Sequence, residues 1–184
     1  VASLGRASLS ASLTLRDVQT EAQSCFHTSA SAVIAAAWGT VLYMYLRHEC
    51  ECVVFDGVRG QDTVSIPVGP TMCDMHNPSS LVEHIKCAWS GASANITGPT
   101  LFFDALHDPE PDAFAHVEAV LRAHPEVTLA CIAYVNVDGI ITLSLLASPS
   151  IHVYDSARTQ LEQMREALRA ILEHRDPMAM PPHP

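Results

Sequence analysis

Positive charge is scarce in this sequence, and charge of either sign is uncommon. Ten Lys and Arg residues stand against twenty Asp and Glu, which gives a formal net charge of −10, and only 16% of the residues are charged. Proteins that bind a phosphate backbone do so through clustered Lys and Arg, so this composition argues against a nucleic-acid partner. A charged fraction below the usual quarter indicates a large buried share, or a face that meets a partner.

Long apolar runs and targeting signals are also missing. No run reaches the roughly 18 residues of a membrane helix, and the start lacks the charged-then-apolar pattern of a signal peptide. Six cysteines in 184 residues do not make a disulfide scaffold, and Cys87 and Cys131 lie in apolar segments, so we predict reduced thiols in a cytoplasmic protein. The sequence does not begin with Met, and we expect it to be a piece of something longer that contains one domain with its own core.

Several motifs of catalysis and metal binding are absent. There is no G-x-S-x-G elbow of a serine hydrolase, no G-x-G-x-x-G or P-loop for a nucleotide, and no histidine pair before an Asp. Asp138-Gly139 is predicted to be a turn. Cys50, Cys52, Cys73 and His76 could ligate zinc on paper, but the first pair is C-x-C, whereas strong zinc motifs use C-x₂₋₄-C. We therefore predict buried or half-buried thiols and no metal.

Apolar periodicity predicts an α/β layered domain. We predict helices over 15–25, 30–47, 81–90, 111–122 and 156–174, and strands over 52–55, 66–70, 100–104, 127–135 and 140–146. The segment 30–47 is apolar nearly all round, which is typical of a buried helix. The segment 136–139 is typical of a hairpin turn, and 56–65 is predicted to be a loop. We expect a leader or linker over 1–14, the domain over 15–176 and a tail over 177–184.

One arginine stands between two glycines at the end of an apolar strand, in Gly57-Val-Arg-Gly60. On one interpretation this is a polar turn that leaves the strand. On the other, a tight backbone fixes a guanidinium where a carboxylate or a second domain approaches. Arg suits that second role because its planar fork binds a carboxylate through two hydrogen bonds.

The arginine belongs to a longer ordered set of segments. The set consists of 28–42 with its Ala-Ala-Trp core, Val53-Val-Phe55, Val68-Gly-Pro70, Leu101-Phe-Phe-Asp104, the predicted hairpin over 127–146 and the predicted helix over 156–174. Over roughly 15–175 this order resembles the C-terminal half of condensation domains of non-ribosomal peptide synthetases. The resemblance implies a chloramphenicol-acetyltransferase-like half-domain, with a mixed sheet packed by helices, which pairs with a second such subdomain into a V.

In that family an acceptor amine, held on the phosphopantetheine arm of a carrier protein, attacks a donor thioester held in the same way. The catalytic His-His-x-x-x-Asp-Gly motif lies in the N-terminal subdomain and is absent here, so the resemblance implies no catalytic residue in this chain. It implies a wall of the tunnel of a condensation-type acyltransferase, in a peptide or hybrid polyketide–peptide synthetase of secondary metabolism. The chain would help to form amide or ester bonds only together with its N-terminal half, and it would be inactive alone.

The implied partners are the N-terminal condensation subdomain, carrier proteins and neighbouring synthetase domains, with no nucleic acid and no membrane. The resemblance implies no directly bound cofactor, because the phosphopantetheine arm arrives on the carrier protein. It places the subdomain seam or tunnel wall at Gly57, Arg59, Gly60, Gln61, Val68, Gly69, Pro70 and Thr71.

Two departures from the family pattern keep other hypotheses open. The family's loop ends in Gly-Arg, and that arginine pairs with the motif aspartate across the seam. Here Gln61 stands at that position and Arg59 lies two residues earlier, so either Arg59 takes over the pairing or the pairing is lost. The family's Asn-Thr-x-Pro segment reads Cys73-Asp-Met-His76. A degenerate, non-catalytic scaffold that docks carrier proteins or tailoring enzymes is the second hypothesis, and an unrelated α/β sandwich is the third.

Overall fold

The computed structural model describes residues 5–7, 17–91, 93–147 and 154–179. The strands are β1 (Gly5–Ala7), β2 (Val53–Arg59), β3 (Asp62–Val68), β4 (Thr100–Ala105), β5 (Leu129–Val135) and β6 (Ile141–Ala147). The helices are α1 (Val18–Phe26), α2 (Ala30–Leu46), α3 (Pro78–Trp89), α4 (Glu110–Ala123) and α5 (Tyr154–Leu172). The predicted α/β class is confirmed, and all five predicted helices are present within a few residues of their expected ends.

The chain folds into two compact units that alternate along the sequence. One unit consists of Val1–Arg16, Phe55–Ser65 and Ala92–Leu161, and we call it the sheet unit. The other consists of Asp17–Val54, Ile66–Gly91 and Glu162–Pro184, and we call it the helix unit. The predicted boundaries at 14 and 176 stay predictions. Of the predicted tail, 177–179 is described, whereas 180–184 lies outside the described residues.

The strands form one mixed sheet in the order β1-β6-β5-β4-β2-β3. β2 is parallel to β4 and β4 is parallel to β5, whereas β6 is antiparallel to β5 and β1 is antiparallel to β6. Gly139 has φ 75° in the turn that joins β5 to β6, which confirms the predicted hairpin. The mixed sheet that we expected for a condensation half-domain is therefore present.

Helix α4 covers one face of the sheet unit. Its Ala113 and Val117 belong to one buried cluster with residues of the four central strands: Val58, Leu101, Phe103, Ala105, Ala130, Ile132, Tyr134 and Leu146. The ring of Phe114 meets the ring of Tyr134 edge to face, with 4.9 Å between the ring centroids. Burial of this apolar surface supplies the main stabilisation of the unit.

The helix unit is built around α2, which packs against α1 and α3. All residues from Ala30 to Leu42 are buried, as the apolar pattern on every side of this helix predicted. Helix α3 is capped by Asn77, whose side chain accepts hydrogen bonds from the backbone N–H groups of Ser79 and Ser80. This N-cap satisfies two of the donors that a helix leaves open at its start.

The prediction that 56–65 is a loop is wrong, because β2 and β3 form a hairpin there. Asp56 and Gly57 disfavour a strand by composition, yet β2 continues through both. Asp56 is fully buried, and its Oδ2 accepts hydrogen bonds from the N–H groups of Thr97 at 3.1 Å and Gly98 at 2.9 Å. These bonds satisfy Oδ2, whereas Oδ1 is buried and has no hydrogen-bond partner among the described residues. The two bonds offset part of the cost of burying the carboxylate, so the apolar pairing on either side of it can decide the local structure.

Strand β1 also departs from the expectation, since it lies inside the predicted leader. Gly5 pairs with Ala147 and Ala7 pairs with Leu145 at the β6 edge of the sheet. A strand of three residues has too few side chains for the period-2 pattern that identifies a strand in a sequence.

No single helix in the described ranges is both long and apolar enough to cross a membrane. Helices α1 and α2 pass that test of length and composition only as a pair, and they are bent by 91° at the break between them.

Candidate functional site

The arginine that the sequence singled out lies at the carboxyl end of β2, beside the carboxyl end of the parallel strand β4. The register pairs Val58 with Phe103, so the next residues along, Arg59 and Asp104, are neighbours. Nε of Arg59 donates a hydrogen bond to Oδ2 of Asp104 at 2.6 Å. In open α/β sheets, ligands bind at the carboxyl ends of parallel strands. We call these two residues the strand-end pair.

The two members of the strand-end pair differ sharply in exposure. The Asp104 side chain is 1% exposed, whereas the Arg59 side chain is 44% exposed. The other Asp104 oxygen, Oδ1, accepts a bond from the backbone N–H of Leu106 at 3.4 Å. A buried carboxylate is unfavourable unless it is paired and hydrogen-bonded. Arg59 therefore supplies the charge that allows Asp104 to be buried, and the rest of its guanidinium reaches towards the surface.

The other predicted seam residues of the sheet unit surround this pair in the sequence. Gly57 lies in β2 opposite Phe102 of β4. Gly60 and Gln61 form the two-residue turn between β2 and β3, and both are exposed. Gly60 has φ 58°, a left-handed conformation that glycine adopts without the steric cost of a Cβ. The glycine after Arg59 therefore serves the hairpin turn.

The remaining predicted residues, Val68, Gly69, Pro70 and Thr71, lie in the helix unit. Val68 ends β3 and is fully buried. A Cβ on Gly69 would lie 2.6 Å from the carbonyl oxygen of Glu51 and 3.2 Å from Cα of Cys52. Two backbone segments therefore approach so closely that only glycine fits between them. Pro70 and Thr71 follow, and both are exposed.

Pro70 and Thr71 line a groove within the helix unit that sequence reasoning missed. Its volume is about 570 Å³, within the usual range of small-molecule sites. The lining residues are Tyr43, Arg47, Pro70, Thr71, Met72, Cys73, Asp74, Met75, His76 and Met178. These residues come from three distant stretches of the sequence, so no local motif could have revealed the groove. We call it the methionine groove.

The cysteines and histidines do not converge on a metal in the part of the chain that the structure describes, where no group of three His, Cys, Asp or Glu side chains could hold one. None of the six cysteines forms a disulfide bond in the described ranges. Burial, and secondarily the Asp74 carboxylate, raise the pKa of the Cys73 thiol. Cys73 therefore carries a neutral thiol at neutral pH, which suits an apolar wall better than a nucleophile.

Comparison with solved structures identifies the fold. The first condensation domain of the CDA synthetase matches 90% of this chain with a TM-score of 0.60 at 11% identity, and the match covers 45% of that domain. The starter condensation domain of rhizomide synthetase RzmA matches 92% of this chain with the same TM-score and identity, over 46% of its own length. This chain has the fold of half a condensation domain.

The same half-domain fold extends to a related class of synthetase domain. The epimerization domain from the third module of tyrocidine synthetase B matches 98% of this chain with a TM-score of 0.51 at 14% identity, over 53% of its length. No family profile matches the sequence, and no curated protein matches it either. The chain thus spans about half the length of the domains that it resembles, and at these identities the likeness concerns the fold.

The condensation-like fold places the predicted site residues in two groups. Gly57, Arg59, Gly60 and Gln61 belong to the sheet unit, and Val68, Gly69, Pro70 and Thr71 belong to the helix unit. Sequence reasoning found Arg59 but missed its partner, although Asp104 was recognised as the end of a strand. The parallel pairing of β2 and β4 brings these two residues together. Their roles at a subdomain seam or tunnel stay predictions.

Proposed function

We propose that this chain is the C-terminal half of a condensation-type acyltransferase in a peptide or hybrid polyketide–peptide synthetase. The observation that carries the proposal is the match of about nine-tenths of the chain to slightly less than half of two condensation domains. The order of the segments from Thr28 to Asp104, which follows the family pattern, supports the assignment to the C-terminal half. A cytoplasmic location is part of the same proposal.

On this proposal the chemistry is divided between two halves. The acceptor amine attacks the carbonyl carbon of the donor thioester, so a C–N bond forms, the C–S bond breaks, and the proton of the amine passes to the departing thiolate. A histidine of the N-terminal half would position or deprotonate the amine. This chain would form the facing wall of the tunnel, hold the carrier-borne arms in line and exclude water. Neither half would catalyse the reaction alone.

The strand-end pair gives this chain a defined role at the proposed seam. Asp104 is buried, and it fixes Nε of Arg59. The guanidinium is thereby held at the end of the strand, where a carboxylate of the N-terminal half could approach it. Arg59 is thus our candidate for the function that the family assigns to the arginine after its loop glycine, a position that Gln61 occupies here.

A degenerate scaffold is the second candidate, and a specific observation favours it. Arg59 already pairs with a carboxylate of its own chain, and Gln61 stands where the family has its arginine. If the Arg59 guanidinium is needed to bury Asp104, it stabilises the fold of this chain even when no second subdomain is present. In that case the chain would dock carrier proteins or tailoring enzymes and take no part in bond formation.

The deciding experiment is a coupling assay with carrier proteins that bear a donor acyl group and an acceptor aminoacyl group. It compares this chain, the N-terminal half and their mixture, with mass spectrometry of the carrier-bound product. Product in the mixture alone is the expected result. Saturable carrier binding without product would select the scaffold, and the absence of both product and binding would overturn both candidates.

The contribution of Arg59 is measured in the same mixture. Arg59→Gln should slow product formation, whereas Arg59→Lys should retain more of it because the charge remains. Arg122→Gln is the matched control, because Arg122 is an exposed arginine in the last turn of α4 and belongs to no proposed site. Equal rates for Arg59→Gln and Arg122→Gln would remove Arg59 from the seam.

A further inference from the structure

The methionine groove combines one unneutralised cation with apolar walls. Arg47 follows the last residue of α2 and is exposed. No Asp or Glu oxygen in the described ranges lies within 4.0 Å of its guanidinium. This is notable in a chain whose acidic residues outnumber its Lys and Arg by twenty to ten. The guanidinium therefore retains its capacity to bind an anion through two hydrogen bonds.

The other charges of the groove limit what that anion can be. Nδ1 of His76 donates a hydrogen bond to Oδ2 of Asp176 at 2.9 Å, so this carboxylate has a partner of its own. Asp74 is the one carboxylate among the described residues that line the groove. A dianion such as a phosphate monoester would be repelled by the Asp74 carboxylate and by the net charge of −10. The electrostatics favour a single negative charge.

The walls of the groove suit an apolar body. Met72, Met75 and Met178 line it together with the ring of Tyr43. Met75 is 3% exposed, whereas Met72 is 47% exposed, so the sulfur side chains extend from the base of the groove to its opening. Methionine is flexible and polarizable, and it adapts to apolar groups of different shapes. Cys73, which is half-buried, also lines the groove.

We propose that the methionine groove is a binding site for a small monocarboxylate with an apolar body. The carboxylate binds the guanidinium of Arg47, and the apolar body lies against the three methionines and Tyr43. The site would require the carboxylate and would accept apolar groups of different shapes. This proposal rests only on the geometry of the helix unit, so it stands or fails independently of the proposed condensation function.

The test is a titration of the whole chain with 4-phenylbutyrate, followed by two-dimensional amide NMR. The expected result is saturable shifts confined to residues around Tyr43–Arg47, Pro70–His76 and Met178, with a Kd at or below about 1 mM. The uncharged analogue 4-phenylbutyramide should bind about tenfold or more weakly, because a hydrogen bond to a charged group is lost. Nonanoate should bind with an affinity similar to that of 4-phenylbutyrate, because the walls are adaptable.

Variants of single residues distinguish binding at Arg47 from a general attraction of anions to exposed arginines. Arg47→Gln should weaken 4-phenylbutyrate binding about tenfold or more while the remaining amide spectrum stays unchanged. The matched control Arg122→Gln should leave the affinity intact. Met72→Gln changes an exposed wall position, so it should lower the affinity for nonanoate and leave the amide spectrum of the remaining residues unchanged. Equal binding of acid and amide, equal effects of the two arginine variants, or no saturable shift would each overturn the proposal.

Discussion

Asp104 and Arg59 illustrate how single residues determine the end of the sheet. The carboxylate is buried at the end of β4, and the guanidinium that compensates it comes from the parallel strand β2. Such a pair is asymmetric, because loss of the exposed arginine leaves a buried charge, whereas loss of both residues leaves none. Arg59 is therefore expected to contribute to stability whether or not a second subdomain meets it.

We predict that Arg59→Ala lowers the free energy of unfolding by about 1–2 kcal/mol. This is the lower part of the range for a hydrogen bond to a charged group, because the arginine is partly exposed and solvent screens the interaction. Urea unfolding followed by circular dichroism measures the change. Adding Asp104→Asn to the Arg59→Ala background should lower stability little further, because the charge that lacks a partner has been removed.

Arg122→Ala is the reference for this prediction, since Arg122 is an exposed arginine on α4. Its effect should stay within about 0.5 kcal/mol, as for most surface substitutions. If Arg59→Ala has an equally small effect, the strand-end pair does not stabilise the fold, and Asp104 must be stabilised in another way.

At the level of elements, the sequence identifies helices better than the strands that carry polar residues. Segment 30–47 is apolar on every side, and this pattern leaves no alternative to a buried helix of that length. The apolar run predicts a strand that stops at Phe55, because Asp is uncommon inside strands. The Asp56 carboxylate accepts two hydrogen bonds, from Thr97 and Gly98, and these donors lie about forty positions away in the sequence. Local composition does not indicate such a long-range contact, so the hairpin over 53–68 could not be predicted from composition.

Helix α3 allows a quantitative test of an element that the sequence did identify. Asn77→Ala removes the side-chain oxygen that accepts from Ser79 and Ser80. We predict a loss of about 1 kcal/mol in the free energy of unfolding, as for other N-cap deletions. Asn77→Asp should retain most of the stability, because its oxygen can accept the same bonds and its charge suits the start of a helix.

Chemical denaturation of both Asn77 variants measures this difference. Asn95→Ala serves as the control, because Asn95 is an exposed asparagine in the loop before β4 and caps no helix. A loss for Asn95→Ala as large as that for Asn77→Ala would show that the cap does not stabilise α3.

At the scale of the whole molecule, the sequence order carried more information than any single motif. The succession from Thr28 to Asp104 indicated a condensation half-domain, and the fold comparison supports that architecture over about nine-tenths of the chain. The candidate sites were less accessible to the sequence. Arg59 was visible because two glycines frame it, but its partner Asp104 depends on strand pairing. The methionine groove depends on the approach of Arg47, Met72 and Met178, which periodicity cannot reveal.

On the proposed function, this chain is one of two halves that act together. The most direct test is to mix it with a separately produced N-terminal half of a condensation domain and to measure association by sedimentation velocity. We predict a one-to-one complex with a Kd of about 1 μM or tighter. Two independently sedimenting species at concentrations of about a hundred times that value would contradict the claim that the two halves form one catalytic unit.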